Sequence, residues 1–178
     1  MRDVEAPSPT NKEVIFRMIE KVNFCNIPEC VDVIKDSFLT VANEFGFTAE
    51  NAPRFTAFAT TKERLSWQLN NEHRPMYVFV VDKKIIGYYS LALLKNNECE
   101  LNNLCVLPEY RHNGIGKKLL LHSFDTAKNL GCTKMNIGIV EENQRLKKWY
   151  ETFDFEYIGT QKFDFFPFTC GYMVKNLI

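Results

Sequence analysis

Apolar residues recur at Val31, Ile34, Phe38, Val41 and Phe45, a helical spacing that gathers them on one face. Pro28 stands in the first turn of that helix, Glu29 and Asp32 lie at its positive end, and Gly46 closes it. Ahead of it, Val14-Ile15-Phe16 with Met18-Ile19 predicts a first strand, and the polar, proline-punctuated residues 1–12 predict a loose arm. Residues 47–60 have no clean period but carry Phe47, Phe55 and Phe58, so this loop is expected to fold over something. Thr60 with Glu63 predicts a capping box for a second helix, which carries Leu65 and Leu69 and ends before Pro75.

The pattern then changes period. Met76 to Val81 and Ile85 to Leu94 are β-branched and aromatic, separated by a two-residue turn at Asp82-Lys83, and predict a hairpin. Asn96-Asn97-Glu98 turns again into a third strand, Cys99 to Leu107. A helix opens near Gly114, carries Ile115, Leu119, Leu120, Phe124, Ala127 and Leu130, and stops at Gly131. Lys134 to Val140 reads as a short buried strand, and Asn143 opens a helix with Leu146, Trp149, Tyr150 and Phe153 on one face. Phe155 to Phe163 and Cys170 to Leu177 close the chain as a hairpin. The order is β-α-α-β-β-β-α-β-α-β-β. It predicts one α/β (α+β) domain over residues 13–178, a mixed, mostly antiparallel sheet flanked by helices.

Composition narrows the classes. Lysine plus arginine and aspartate plus glutamate both total 22, so no global charge draws the chain to nucleic acid or an anionic membrane. The opening residues lack the apolar core of a signal peptide and no run reaches membrane-spanning length, which predicts a cytoplasmic protein. Six cysteines show no CxxC pair and no His-x3-His partner; reduced thiols and no metal site are expected.

The chemistry concentrates where the third strand meets its helix: Leu104-Cys105-Val106-Leu107-Pro108-Glu109-Tyr110-Arg111-His112-Asn113-Gly114-Ile115-Gly116-Lys117-Lys118. Gly114 and Gly116 let an anion approach the backbone, and the first N–H groups of the helix lack internal partners at its positive end. A phosphate suits that junction, with Arg111, Lys117 and Lys118 adding charge. A P-loop does not fit, because Arg111 stands at its first glycine and Lys118 at its hydroxyl residue; a dinucleotide fingerprint fails at Leu119. The bland alternative is a glycine turn that starts a helix and binds nothing.

Arg111-His112-Asn113-Gly114-Ile115-Gly116 resembles the Arg/Gln-x-x-Gly-x-Gly/Ala signature of GNAT-type N-acetyltransferases. Asn143 to Phe155 (NQRLKKWYETFDF) is similar to that family's second motif, and the two stand in the family's order from Gly116 to Asn143. The resemblance implies that acetyl-CoA binds with its pyrophosphate on the amides of Arg111, His112, Asn113, Gly114, Ile115, Gly116 and Lys117. Its pantetheine arm would lie along Leu104, Cys105 and Val106, in a gap beside the strand at 134–140, with Asn143 contacting it. The pattern departs at Asp154, which replaces a glycine and must turn the chain in another way, at Leu146, often alanine, and at His112-Asn113, bulkier than the common filling.

The resemblance implies Tyr150 as the acid that protonates or hydrogen-bonds the CoA sulfur, and Glu100 as the base that deprotonates an amine through water. Alternation puts Glu100, Asn102, Leu104 and Val106 on one face; Asn103 and Glu141 are reserve bases. The implied activity is direct transfer of acetyl from acetyl-CoA to a primary amine of a small molecule or peptide, without metal. The alternative is a non-catalytic acyl-CoA-binding sensor of the same fold. Tyr88, Tyr89, Phe163, Phe165, Phe166 and Phe168 are expected mostly in the sheet core, with the aromatic tip at 163–168 walling the acceptor pocket or a homodimer contact.

Overall fold

The computed structural model describes residues 17–177. The arm at 1–12 and the start of the strand expected from Val14 lie outside the described residues. Strand β1 is Arg17–Lys21, followed by α1, Ile27–Phe45, the one-turn α2, Thr56–Ala59, and α3, Lys62–Asn70. Then come β2, Met76–Val81, β3, Lys84–Leu93, β4, Glu98–Val106, and α4, Ile115–Asn129. The chain closes with β5, Lys134–Val140, α5, Gln144–Glu151, β6, Glu156–Lys162, and β7, Thr169–Asn176. The expected order holds, with α2 added inside the aromatic loop.

The strands form one seven-stranded sheet in the order β1-β2-β3-β4-β5-β7-β6. Every neighbouring pair is antiparallel except β4–β5. At the β2–β3 turn, Asp82 and Lys83 hold φ of 48° and 68°, the left-handed pair that matches the twist of a two-residue hairpin. Helices α1 and α4 both lie on β3 and β4, one on each face. The α4 contact is close: a Cβ on Gly87 of β3 would sit 2.8 Å from Leu119 Cδ1. Ile34, Ile86, Leu91, Leu119, Leu120, Met135 and Met173 are fully buried between these layers.

Two sequence expectations are corrected locally. The N-cap of α3 is Thr61, whose Oγ1 accepts from Arg64 N at 3.2 Å. Thr60 cannot serve, because its hydroxyl donates back to Thr56 O at 2.7 Å and so belongs to α2. The phenylalanines at 163–168 are not sheet core. Phe168 is buried in a second cluster with Phe47, Phe55, Ala42 and Val140, onto which Phe38, Phe58 and Phe166 pack. Phe163 is half-buried and Phe165 exposed, with Arg54 stacked 4.4 Å over the Phe165 ring. The hairpin tip therefore clasps the loop at 47–60 against the end of α1; Tyr88 and Tyr89 alone of that group lie in the main core.

All six cysteines are free, four of them buried. Among the described residues no helix is long and apolar enough to cross a membrane, and no three His, Cys, Asp or Glu side chains gather as a metal site.

Candidate active site

The parallel strands β4 and β5 pair only at Glu98–Lys134, Cys99–Met135 and Glu100–Asn136. Beyond Glu100 they part, while β4 stays paired to β3 and β5 to β7. A bulge shapes the β4 side of the opening. Ser90 faces Asn102 and Tyr88 faces Cys105, so Asn103 and Leu104 together oppose Tyr89, and Asn103 takes a left-handed φ of 54°. The extra residue shifts the side-chain alternation. Cys105 keeps the α1 face with Glu100 and Asn102, whereas Val106, opposite Gly87, turns toward α4. Val106 thus does not share the face of Glu100, as simple alternation predicted.

At the open end the chain leaves β4 through a 3-10 turn, Pro108–Tyr110, and enters α4 through two left-handed residues, His112 (φ 63°) and Gly114 (φ 74°). Arg111 N donates to Pro108 O at 3.2 Å and Lys118 N to Gly114 O at 3.1 Å. Between them, the N–H groups of residues 112–117 make no hydrogen bond among the described residues. A run of open amides at a helix N-terminus is a ready anion cradle. Asn113 Nδ2 braces the turn by donating to Tyr110 O and Arg111 O.

Arg111 departs from the expectation. Its amide is engaged, and its guanidinium points inward, donating from Nε to Val106 O (3.0 Å), from Nη1 to Thr40 Oγ1 (3.0 Å) and from Nη2 to Ser37 O (2.8 Å). It ties the cradle and the end of β4 to α1. The charges that remain at the surface of the cradle are Lys117 and Lys118, both exposed.

Across the opening stands α5. Asn143, buried at its N-terminus, accepts from Leu146 N at 3.1 Å through Oδ1, which leaves its Nδ2 without a partner among the described residues. Asp154 turns the chain after α5 with a left-handed φ of 61°, the conformation glycine favours and aspartate tolerates, so the turn keeps a glycine-like shape rather than the other one expected. Tyr150 is 6% exposed, its ring edge-on to Trp149 and Phe155. Its hydroxyl makes no hydrogen bond among the described residues. Burial, and next the neighbouring Cys105, push the phenol well above its usual range, so Tyr150 carries its proton at any ordinary pH. Burial pushes the Cys105 thiol itself up to about 12, which removes it as a nucleophile.

At the closed end, the α1-side face of β4, β5 and β7 is polar and partly open: Glu98, Glu100, Asn102, Asn136 and Tyr172 are half-buried and Gly138 is exposed. The opposite face, with Cys99, Leu101, Met135, Ile137 and Met173, is buried. Glu100 Oε1 accepts from Asn102 Nδ2 at 2.6 Å, and Glu98 Oε2 from Asn136 Nδ2 at 3.0 Å. Tyr172 is pushed upward by burial first, then by Cys170 and Glu100. The reserve base Glu141 lies elsewhere, paired to Lys147 Nζ at 2.9 Å beneath α5, and Asn103 sits in the bulge.

Sequence reasoning missed Arg74, which reaches Asn102 from the turn before β2, and Tyr172. Alternation along β7 would have put Tyr172 on the face of Cys170 and Val174; the aperiodic run before Pro75 gives Arg74 no signal.

The sequence matches the acetyltransferase (GNAT) family over residues 39–155, a span that holds the cradle, both parting strands and Tyr150. The chain belongs to that family. An uncharacterised N-acetyltransferase of Mycobacterium tuberculosis is 26% identical over 114 residues, covering 64% of this chain and 73% of the relative. The thialysine N-epsilon-acetyltransferase of Bos taurus is 30% identical over 64 residues, 36% of this chain and 38% of that protein. In fold, the chain is similar to the PaiA N-acetyltransferase from Thermoplasma acidophilum, solved in complex with coenzyme A. The TM-score is 0.77 at 21% identity, over 90% of this chain and 99% of that one.

Proposed function

We propose that the protein transfers an acetyl group from acetyl-CoA to a primary amine of a small molecule or peptide, by direct attack in a ternary complex. The observation that carries this reading is the parting of β4 from β5, with six open amides at one end and Glu100 at the other. The amides of residues 112–117 would take the pyrophosphate, and the unpaired edge of β4 along Leu104 and Cys105 the pantetheine arm. Asn143, through its free Nδ2, is suited to donate to an amide carbonyl of that arm. Arg111 serves the site from behind, by fixing Val106 and the cradle.

In the reaction the amine nitrogen attacks the thioester carbonyl; the C–N bond forms, the C–S bond breaks and one amine proton must leave. Glu100 takes that proton through water on Oε2, which has no partner among the described residues. Tyr150 donates a hydrogen bond to the sulfur as negative charge grows there. A route through an acyl-cysteine is unfavourable, since burial holds the Cys105 thiol protonated.

Release of CoA thiol, measured over a panel of amines that includes thialysine, lysine and a peptide with a free N-terminus, tests the reading. Tyr150→Phe and Glu100→Gln are each expected to lower kcat by about 100-fold or more while KM for acetyl-CoA changes little. Because the Tyr150 phenol is raised, the activity that needs its proton persists through pH 10 and is lost only above it. Wild-type rates in both variants would overturn the assignment. Tight acetyl-CoA binding without turnover of any amine would instead make the protein a sensor.

A further inference from the structure

Four side chains run in line from the turn after α3 to β4. Arg74 Nε is paired with Glu72, Arg74 Nη1 donates to Asn102 Oδ1 at 2.8 Å, and Asn102 Nδ2 donates to Glu100 Oε1 at 2.6 Å. The direction of this chain is forced. A guanidinium has donors only, so the Asn102 amide must turn its oxygen to Arg74 and its NH2 to Glu100. The Arg74 end is itself fixed, since Arg74 N donates to Gln68 O at 3.1 Å and its side chain is 16% exposed.

We infer that Arg74 is a positioning residue for Glu100: it locks Asn102 in the orientation that occupies Oε1 and leaves Oε2 without a partner among the described residues. Without Arg74, the Asn102 oxygen loses its partner and the amide is free to rotate, so that Glu100 Oε1 is no longer held in one place. The other groups around the carboxylate do not duplicate this hold. Glu98 is engaged by Asn136, and Tyr172 makes no hydrogen bond to Glu100 among the described residues.

The inference rests on Glu100 acting as the base, and the test separates the two claims. The probes are acetyl-CoA and whichever amine of the panel above the wild type turns over fastest. Arg74→Met is made in the wild-type and in the Glu100→Gln background, with Arg74→Lys as the conservative partner. The expected result is a loss of kcat on the order of 10-fold or more for Arg74→Met alone, in line with misplacement of a reacting group. Arg74→Lys, which keeps a donor toward Asn102 Oδ1, should return most of the rate. In the Glu100→Gln background Arg74→Met should cost nothing further, because a residue that acts only through Glu100 has nothing left to position. An equal loss in both backgrounds would show that Arg74 merely supports the fold, and an unchanged kcat in the wild-type background would also sink the idea. Should Arg74→Met fail to fold, Asn102→Leu breaks the same chain and is read against the same expectations. A Glu100→Gln variant with full kcat, or no turnover of any amine, overturns the base and its positioning residue together. A slow Glu100→Gln beside an indifferent Arg74→Met overturns the positioning alone.

Discussion

His112 holds a φ of 63° at a point where an L side chain is strained, and it does so in the run of amides that forms the cradle. Left-handed geometry costs a residue with a Cβ about 1–2 kcal/mol, against about 0.5–1 kcal/mol of extra chain entropy lost by glycine. His112→Gly is therefore expected to raise stability by about 0.5–1 kcal/mol, read as a shift in the urea midpoint at unchanged slope. The backbone amide survives the substitution, so affinity for acetyl-CoA should be kept. Arg111 makes the complementary point. The signature arginine lies beside the cradle in sequence, yet its side chain serves α1 and Val106 rather than the surface.

At the level of elements, the helices and hairpins follow from their periods, and errors arise where two caps or two phases compete. Thr60 and Thr61 both precede α3, and only contacts with the unforeseen α2 decide between them. Thr61→Ala should cost about 1 kcal/mol in thermal or urea unfolding, the usual loss of an N-cap. The cradle was legible because it is contiguous: residues 111–117 carry turn, glycines and helix start in a single run. The bulge at Asn103 was not, since an added residue leaves the apolar pattern intact and shows only in pairing with Tyr88 and Ser90. The link from Arg74 to Glu100 joins separate elements through polar side chains, and such contacts leave no period to read. Tyr150 stood out through its place in the second motif alone, since its position on an apolar helix stripe fits a plain core residue as well.

Across the whole molecule the hydrophobic interior is divided. The main core lies between the sheet and its helices, while Phe47, Phe55 and Phe168 hold a separate knot that joins the loop at 47–60 to the β6–β7 tip. Phe168→Ala should destabilise by about 3–4 kcal/mol, as for other buried phenylalanines. Amide hydrogen exchange should quicken first in the loop at 47–60 and at the hairpin tip, before β3 or β4 respond. The order of β2, β3 and β4 follows from short turns, whereas the insertion of β7 between β5 and β6 depends on long-range pairing.

The three register pairs between β4 and β5 also have a mechanical meaning. They are the only strand pairing that joins a four-stranded leaf, β1 to β4, to a three-stranded leaf, β5 to β7, along the middle of the sheet among the described residues. A ligand laid in the notch supplies rungs that the polypeptide omits, so that loading the donor would stiffen the seam and releasing the product would soften it. The line with the fewest strand pairs and the proposed place of chemistry coincide. Each cycle of the proposed reaction would then tighten and relax that seam.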